Sequence, residues 1–350
     1  MITKSKVKQF LKSTEGLDVF DVRSPAEYQK GHIPSAHNLA LFNNEERAQV
    51  GTIYKQQSKR EALLRGLEIV GPKVNDLIKT VEEVTDSRKI GLHCWRGGKR
   101  SQSVAWLLNL VGYEVYTLEG GYKAYRNYVL DDFYKCRGKL IVIGGKTGCG
   151  KTAVLKCLAK RGEQTIDLES LANHKGSAFG FIGEKPSPSV EQFENDLYAT
   201  FSKFDLSKRI WIENESRRIG HVLIPEGFWL QIKSAPLINL EVPFERRLAQ
   251  SISNYSIAAK ADLILAFKNI QKRLGGLNTQ KAITYLEEDN IEAAAKIALK
   301  YYDKQYQYML EKNETTYIKL LPIQEEVPDE IAKRLIALAD EDVFLQNSIE

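Results

Sequence analysis

A chain of 350 residues is too long for one compact core and suits two domains. Hydrophobic content of 43% and charged content of 27% are those of an ordinary soluble globular protein, and no apolar run approaches the roughly 20 residues that span a bilayer, which excludes a membrane-embedded class. Four scattered cysteines, Cys94, Cys136, Cys149 and Cys157, argue against a disulfide framework or a paired zinc site, and a formal charge of +5 permits a nucleic-acid partner without pointing to one.

The amino-terminal MITKSKVKQFLKS is basic but no apolar block of signal-peptide length follows it, so a cytoplasmic protein is expected. Val7 to Leu11 reads as a short helix and Asp18 to Val22 as a buried strand. Ser24, Pro25 and Glu27 then spell a helix start: a capping residue, a proline at the first helical position and a glutamate completing a capping box. Gly31 ends that helix, and Ile33-Pro34 forces an extended step toward a strand near Ala36 to Leu39. Lys55 to Leu67 and Val74 to Val84 carry helical spacing, and Lys89 to His93 is the next strand. This alternation predicts a parallel sheet with helices on both faces.

That strand runs into His93-Cys94-Trp95-Arg96-Gly97-Gly98-Lys99-Arg100-Ser101, followed by the helical run Gln102 to Leu110. A cysteine between a strand end and a helix amino terminus is where a reactive sulfur anion is favoured, by the helix dipole, by loop N–H groups and by the guanidinium of Arg100. Such a loop can hold a tetrahedral oxyanion or a terminal sulfur atom. A buried inert cysteine is the alternative, and two glycines with three basic residues make a poor core. Asp21-Val22-Arg23-Ser24-Pro25-Ala26-Glu27-Tyr28, Gly31-His32-Ile33-Pro34-Ser35-Ala36-His37-Asn38, the cysteine loop and Gly120-Gly121-Tyr122 together resemble a rhodanese domain over residues 1–130. The resemblance implies sulfur-group chemistry at Cys94. The sequence departs from the commoner pattern because Arg100 follows Cys94 after five intervening residues, the longer loop of cysteine-dependent phosphatases.

Asp131 to Lys135 reads as a linker helix or hinge within residues 131–138, and a second domain occupies 139–350. Behind the apolar run Leu140 to Ile143 stands GKTGCGKT, Gly145 to Thr152, a full P-loop pattern leading into the helical run Ala153 to Ala159. Gly145, Gly148 and Gly150 let backbone N–H groups curl into an anion nest, Lys151 adds a full charge, and Thr152 offers a hydroxyl to Mg²⁺. The motif calls for a chain of phosphates and does not say whether they belong to a nucleotide. Thr165 to Asp167 reads as a strand leading into LANHKGSAFG, and strands near Ile210 to Ile212 and Leu237 to Val242 complete a kinase-like sheet. Glu213 and Glu215 stand where a Walker-B carboxylate holds magnesium, and Arg217 and Arg218 can reach diphosphate or a nucleic-acid backbone; a solvated salt-bridge cluster is the plainer reading.

The last third is helical in pattern: Phe244 to Ser253, Lys260 to Leu274, Asn278 to Glu287 and Ile291 to Leu310. Tyr301, Tyr302, Lys304, Tyr306 and Tyr308 have a composition suited to stacking on unpaired bases, or form a stripe that is half core and half solvated face. The acidic tail from Glu341 and Asp342 through Glu350 is expected to be exposed.

Taken in order, the rhodanese-like module, the P-loop, LANHKGSAFG and ENESRRIG resemble the bacterial tRNA 2-selenouridine synthase family across nearly the whole chain. The resemblance implies an enzyme acting on wobble 2-thiouridine of certain tRNAs, first geranylating its sulfur with geranyl diphosphate and then replacing the geranylthio group with selenium from selenophosphate. It implies a diphosphate at Gly145, Gly148, Gly150, Lys151 and Thr152, Mg²⁺ near Thr152, Glu213 and Glu215, catalysis at Cys94 and Arg100, and tRNA near Arg217, Arg218 and Lys304. It implies no membrane partner, and a transient contact with the enzyme that produces selenophosphate. Cys94 either carries selenium as a selenopersulfide or positions the donor. Three rivals stand beside this reading. A cysteine-dependent phosphatase or sulfurtransferase fused to an ATP-dependent kinase explains the Cys94 to Arg100 spacing, but as a phosphatase it lacks an obvious general acid. A small-molecule kinase explains only the second half. A binding module with a dead cysteine loop leaves Cys94, Arg100 and Lys151 intact without a use.

Overall fold

The computed structural model describes residues 1–256, 258–311, 315, 317–342 and 345, and divides into two compact units, Met1–Asp132 and Phe133–Glu350. The first contains β1 (Ile2–Ser5), α1 (Val7–Ser13), β2 (Val19–Asp21), α2 (Pro25–Lys30), β3 (His37–Asn38), α3 (Asn44–Gln56), α4 (Lys59–Val70), α5 (Val74–Val84), β4 (Lys89–His93), α6 (Lys99–Leu110), β5 (Glu114–Leu118) and the start of α7 (Gly121–Lys135). Its five strands are parallel, in the order β1-β5-β4-β2-β3. β4 lies in the middle and reads KIGLH because a central parallel strand is covered on both faces. The expected capping box at Ser24 and Glu27 is present. The expected single helix Lys55 to Leu67 is instead the end of α3 and most of α4, broken where Ser58 caps the second helix by accepting from the Glu61 N–H. β1 and β5 carry no strand signal strong enough to have been read, and β1 is an edge strand with alternating exposure.

The second unit contains β6 (Lys139–Gly145), α8 (Lys151–Lys160), β7 (Gln164–Ile166), α9 (Leu168–Ala172), α10 (Val190–Phe201), β8 (Arg209–Glu213), the hairpin β9 (Arg218–Ile219) and β10 (Val222–Leu223), α11 (Glu226–Ser234) and β11 (Leu237–Glu241). α12 (Phe244–Ser256), α13 (Lys260–Asn269), α14 (Gln271–Leu274), α15 (Gly276–Glu287), α16 (Ile291–Glu311), β12 (Ile318–Pro322) and α17 (Pro328–Glu341) complete it. The parallel sheet runs β12-β11-β6-β8-β7. β6 is central, and the chain leaves it for strands on both sides, which opens a crevice beyond its carboxyl end where ligands bind in such sheets. The carboxy-terminal third is thus not purely helical, since β12 adds an edge strand beside β11.

Within residues 131–138 the segment expected to be a linker helix or hinge is helical to Lys135 as the end of α7, and Phe133 is fully buried against Tyr198, Phe201 and Phe228. The run Lys260 to Leu274 is two helices that meet at Ile270. The tail expectation is corrected where it can be read. Leu345 is buried in the core with Leu335 and Ala339, and Asp342 accepts hydrogen bonds from Tyr317 and Lys319. Residues 343, 344 and 346–350 lie outside the described residues. Among the described residues no helix is long and apolar enough to cross a membrane.

Candidate functional site

In the first unit, β4 delivers Cys94 to the floor of a loop that α6 closes, with Gly98 as its amino-terminal cap. Cys94 is 4% exposed, its Sγ 3.2 Å from Ser101 Oγ, and Ser101 donates onward to the Gly98 carbonyl. Among the described residues, none of the backbone N–H groups from Trp95 to Ser101 has an acceptor within the protein. The loop is held from beneath by the start of α7, where Tyr122 N donates to the Cys94 carbonyl at 2.8 Å and Lys123 N to that of Trp95 at 3.0 Å. This approach requires the glycines of Gly120-Gly121-Tyr122. A Cβ on Gly121, which has φ +61°, would stand 2.2 Å from the Cys94 carbonyl oxygen and 2.5 Å from the Gly97 nitrogen.

Arg100 departs from the expectation that it turns toward Cys94. Its guanidinium forks onto Glu27, at 2.6 Å and 3.3 Å, and Glu27 also accepts from Ser24 N and faces Arg47 at 3.5 Å. Burial pushes the Glu27 carboxyl up, but Arg100, Ser24 and Arg47 together hold it below the usual range. Under the loop lies a fully buried ion pair. Arg23 binds Asp21 through Nε and Nη2, reaches the Gly31 carbonyl at 2.6 Å and lies 3.9 Å over the ring of Tyr122. His93 is also fully buried, 3.7 Å from Asp21, with neither ring nitrogen hydrogen-bonded. Its burial holds the imidazole below its ordinary pKa, and Asp21 only partly offsets this.

In the second unit the P-loop opens into a cavity of about 760 Å³. Among the described residues the N–H groups of Gly148, Gly150, Lys151 and Thr152 have no acceptor in the protein, as an anion nest requires. Lys151 Nζ donates to the Gly145 carbonyl at 3.1 Å. Burial alone would lower its pKa, but Cys149, Glu215 and Glu169 around it outweigh that and hold the ammonium above its ordinary range. Thr152 Oγ1 donates to Glu169 at 3.0 Å, and the Glu169 N–H donates to Glu213 Oε1 at 2.7 Å. Glu213 is fully buried at the end of β8, and its Oε2 has no partner. Gly176, at φ +65°, lets Glu215 lie against its backbone: a Cβ there would stand 2.3 Å from the carboxylate.

Burial raises all three carboxyls, Glu213 well above its usual value and Glu215 to about 7; Glu169 and Glu215 push Glu213 further and Glu169 pushes Glu215, while Lys151 and Thr152 oppose the rise of Glu169. An orphaned buried carboxylate oxygen, a threonine hydroxyl and crowded acids fit a divalent cation. No three His, Cys, Asp or Glu side chains among the described residues could hold one alone, so substrate oxygens and water would complete the shell, as magnesium prefers.

Two helices brace this cradle, and neither was legible as part of it. Tyr306 on α16 accepts from the Gly145 N–H and donates to Asn239, both at 2.6 Å. Arg247 on α12 binds Asp303 of α16 through both terminal nitrogens at 2.8 Å and donates to the Thr147 carbonyl at 3.2 Å. One turn along each helix, about 6 Å, the character of the cavity changes. Ser251, beside Gly148, gives way to Tyr255, and Tyr306 gives way to Tyr302. Tyr255 and Tyr302 frame Phe179, which stacks on Tyr255 at 4.9 Å and meets the buried Phe267 edge-on at 5.0 Å. The cavity is therefore polar and charged at one end, where Lys151 faces Glu169 and Glu215, and aromatic at the other.

Of the two readings of the tyrosine stripe, base stacking or half core and half solvated face, the structure fits the second. Tyr301 is buried, Tyr302 accepts from the Ala178 N–H and Tyr306 holds the P-loop, which leaves Lys304 and Tyr308 exposed. Arg217 and Arg218 are exposed and do not line the cavity; Arg218 donates to the Gly220 carbonyl. Glu169 was missed although its place, three residues past the end of β7, was readable. Ser101 was quoted without a role.

Comparison with known proteins places both units. Residues 3–128 match a rhodanese-like domain, and residues 138–334 match the tRNA 2-selenouridine synthase AAA domain. The chain is 36% identical over 330 residues to a tRNA 2-selenouridine synthase of Sulfurovum sp., covering 84% of this chain and 89% of that relative. It is 34% identical over 337 residues to that of Hydrogenovibrio crunogenus, covering 86% and 91%, and 32% identical over 351 residues to that of Bdellovibrio bacteriovorus, covering 87% and 92%. With one family model matching more than half of its length and relatives matched nearly end to end, the chain belongs to the tRNA 2-selenouridine synthase family.

Proposed function

We propose that the protein converts wobble 2-thiouridine of tRNA to 2-selenouridine through S-geranyl-2-thiouridine, using geranyl diphosphate at the P-loop and selenophosphate at the Cys94 loop, in the cytoplasm. The observation that carries the first step is the two-ended cavity. A nest with Lys151 suits a diphosphate, and an aromatic wall one helical turn away suits a prenyl chain attached to it. Thiocarbonyl sulfur attacks the allylic carbon, the carbon–oxygen bond breaks, and the electron pair departs with diphosphate, while the ring nitrogen gives up its proton. Lys151 and the nest N–H groups are placed to receive that charge, which grows in the transition state. Thr152, Glu213 and Glu215 would hold magnesium, which would supply further charge neutralisation at the leaving group. Arg217, Arg218 and Lys304, all exposed, are the cations available to tRNA phosphates. Selenophosphate reaching Cys94 is consistent with a transient contact with the enzyme that makes it.

Incubation with thiouridine-containing tRNA, geranyl diphosphate and selenophosphate, followed by nucleoside mass analysis, tests the reading. Wild type yields 2-selenouridine, Cys94→Ala accumulates the S-geranyl nucleoside, and Lys151→Ala leaves 2-thiouridine. Tight ATP binding with turnover and no binding of geranyl diphosphate would transfer the case to a kinase.

A further inference from the structure

We propose that Cys94 accepts the phosphoryl group of selenophosphate, not its selenium atom, and so releases selenium as the nucleophile for the second step. This rests on the assignment of selenophosphate to the Cys94 loop. Selenium in selenophosphate is already at the selenide level, whereas the outer atom of a selenopersulfide is formally zero-valent. Loading selenium onto the Cys94 sulfur therefore needs an oxidant, or requires phosphorus to leave as phosphite. Attack at phosphorus needs neither. The cysteine proton passes to solvent, a sulfur–phosphorus bond forms, and the phosphorus–selenium bond breaks with its electron pair leaving on hydroselenide. Water then cleaves the sulfur–phosphorus bond to give phosphate and the free thiol, and hydroselenide displaces the geranylthiolate from the base.

The loop is built for a phosphoryl group. Seven consecutive N–H groups, Trp95 to Ser101, have no acceptor among the described residues, and they follow Cys94 directly in the chain. A lone selenium atom has little use for so many donors, whereas three phosphoryl oxygens that gain charge during transfer do. Arg100 stands six residues beyond Cys94, in the first turn of α6, with its fork fixed by Glu27. Ser101 Oγ, 3.2 Å from Sγ, steadies the sulfur as it leaves phosphorus once its hydroxyl proton turns from the Gly98 carbonyl to Sγ.

The same proposal explains what the loop lacks. Transfer from an ordinary phosphate ester needs an acid to protonate a departing alkoxide. Glu27, the carboxyl joined to this loop through Arg100, is engaged by Ser24 N, Arg100 and Arg47, and stays ionised. Hydroselenide is a weak base that departs as an anion, so no proton donor is required.

The test is the full-length protein turning over [³²P]selenophosphate with S-geranylated tRNA, quenched in alkali and examined for protein-bound phosphorus. We expect label on Cys94 of the wild type and none in Cys94→Ala, with the unfolding transition of that variant showing that it is folded. Ser101→Ala should raise the steady-state label about tenfold, because sulfur then leaves phosphorus more slowly. Formation of selenouridine with no phosphorus on the protein at any quench time, or a Cys94 adduct bearing the isotope envelope of selenium, would overturn the proposal while leaving the overall reaction intact. A wild-type protein that neither consumes selenophosphate nor makes selenouridine would instead overturn the functional reading beneath it.

Discussion

Replacing Tyr306 by phenylalanine removes one oxygen and tests whether α16 holds the phosphate cradle. That oxygen joins Gly145 N to Asn239 Oδ1 through two bonds of 2.6 Å, and both partner groups are buried. Without it a backbone donor and an amide acceptor lose their partners, at about 1–2 kcal/mol each, so a loss of about 2–4 kcal/mol is expected. For a unit of about two hundred residues this lowers Tm by about 8 °C. The affected transition is the one that moves upward with added diphosphate. Binding should weaken as well, because the Gly145 peptide that Tyr306 orients also carries the carbonyl that receives Lys151. A loss of about tenfold, or 1.4 kcal/mol, is expected by calorimetric titration with inorganic diphosphate. Asn239→Ala made first should reduce the cost of Tyr306→Phe by about 1 kcal/mol, since the two side chains share a bond. A Tyr306→Phe protein with unchanged Tm and unchanged diphosphate affinity would refute the bracing role.

Gly121→Ala should cost the first unit about 3 kcal/mol or more and abolish selenium incorporation, since its Cβ has backbone on three sides; Gly112→Ala, at φ +96° but in open space, should cost only about 1 kcal/mol in a chemical-denaturation comparison. The first unit should also lose stability as pH falls below about 6.5. The unfolded chain protonates His93 at its ordinary value while the folded one resists, so unfolding takes up a proton there, by up to about 1.4 kcal/mol per pH unit; His93→Gln should flatten denaturation midpoints between pH 7.5 and 5.5. Binding of tRNA should weaken steeply with salt, and Arg217→Ala or Lys304→Ala should each flatten that slope by about one unit; an unchanged slope in both moves the tRNA surface elsewhere.

What the sequence made legible follows from what is local in it. Ser24-Pro25 with Glu27, and the glycines and lysine of GKTGCGKT, act within one turn of chain, so their structures could be written down before any fold existed. The lysine, the threonine and two of the three carboxylates at the cradle were readable because a strand end points them there. Tyr306 and Arg247 were not, since their work is done on residues 161 and 100 positions away. The aromatic stripe follows the plainer of its two readings, half core and half solvated, but the sequence left open what its inner face meets. A period that places Tyr302 and Tyr306 on one face does not say whether that face meets RNA or a P-loop. Arg100 was read as a partner of Cys94 from proximity in sequence, but Glu27, 73 residues away, holds it.

The Asp21–Arg23 pair constrains how this family of sequences can drift. Both side chains are sealed from solvent beneath the cysteine loop, so losing either one strands the other's charge, at about 3–5 kcal/mol, against a total stability of about 5–15 kcal/mol for a typical domain. Lysine in place of Arg23 is no halfway house, because it lacks the fork that reaches Asp21 and the Gly31 carbonyl together and the flat face that lies on Tyr122. Single steps away from this pairing lead into a valley that few folded variants survive, whereas a simultaneous exchange of both for a well-packed apolar pair can cross it. In a library of functional variants, positions 21 and 23 should therefore change together or not at all.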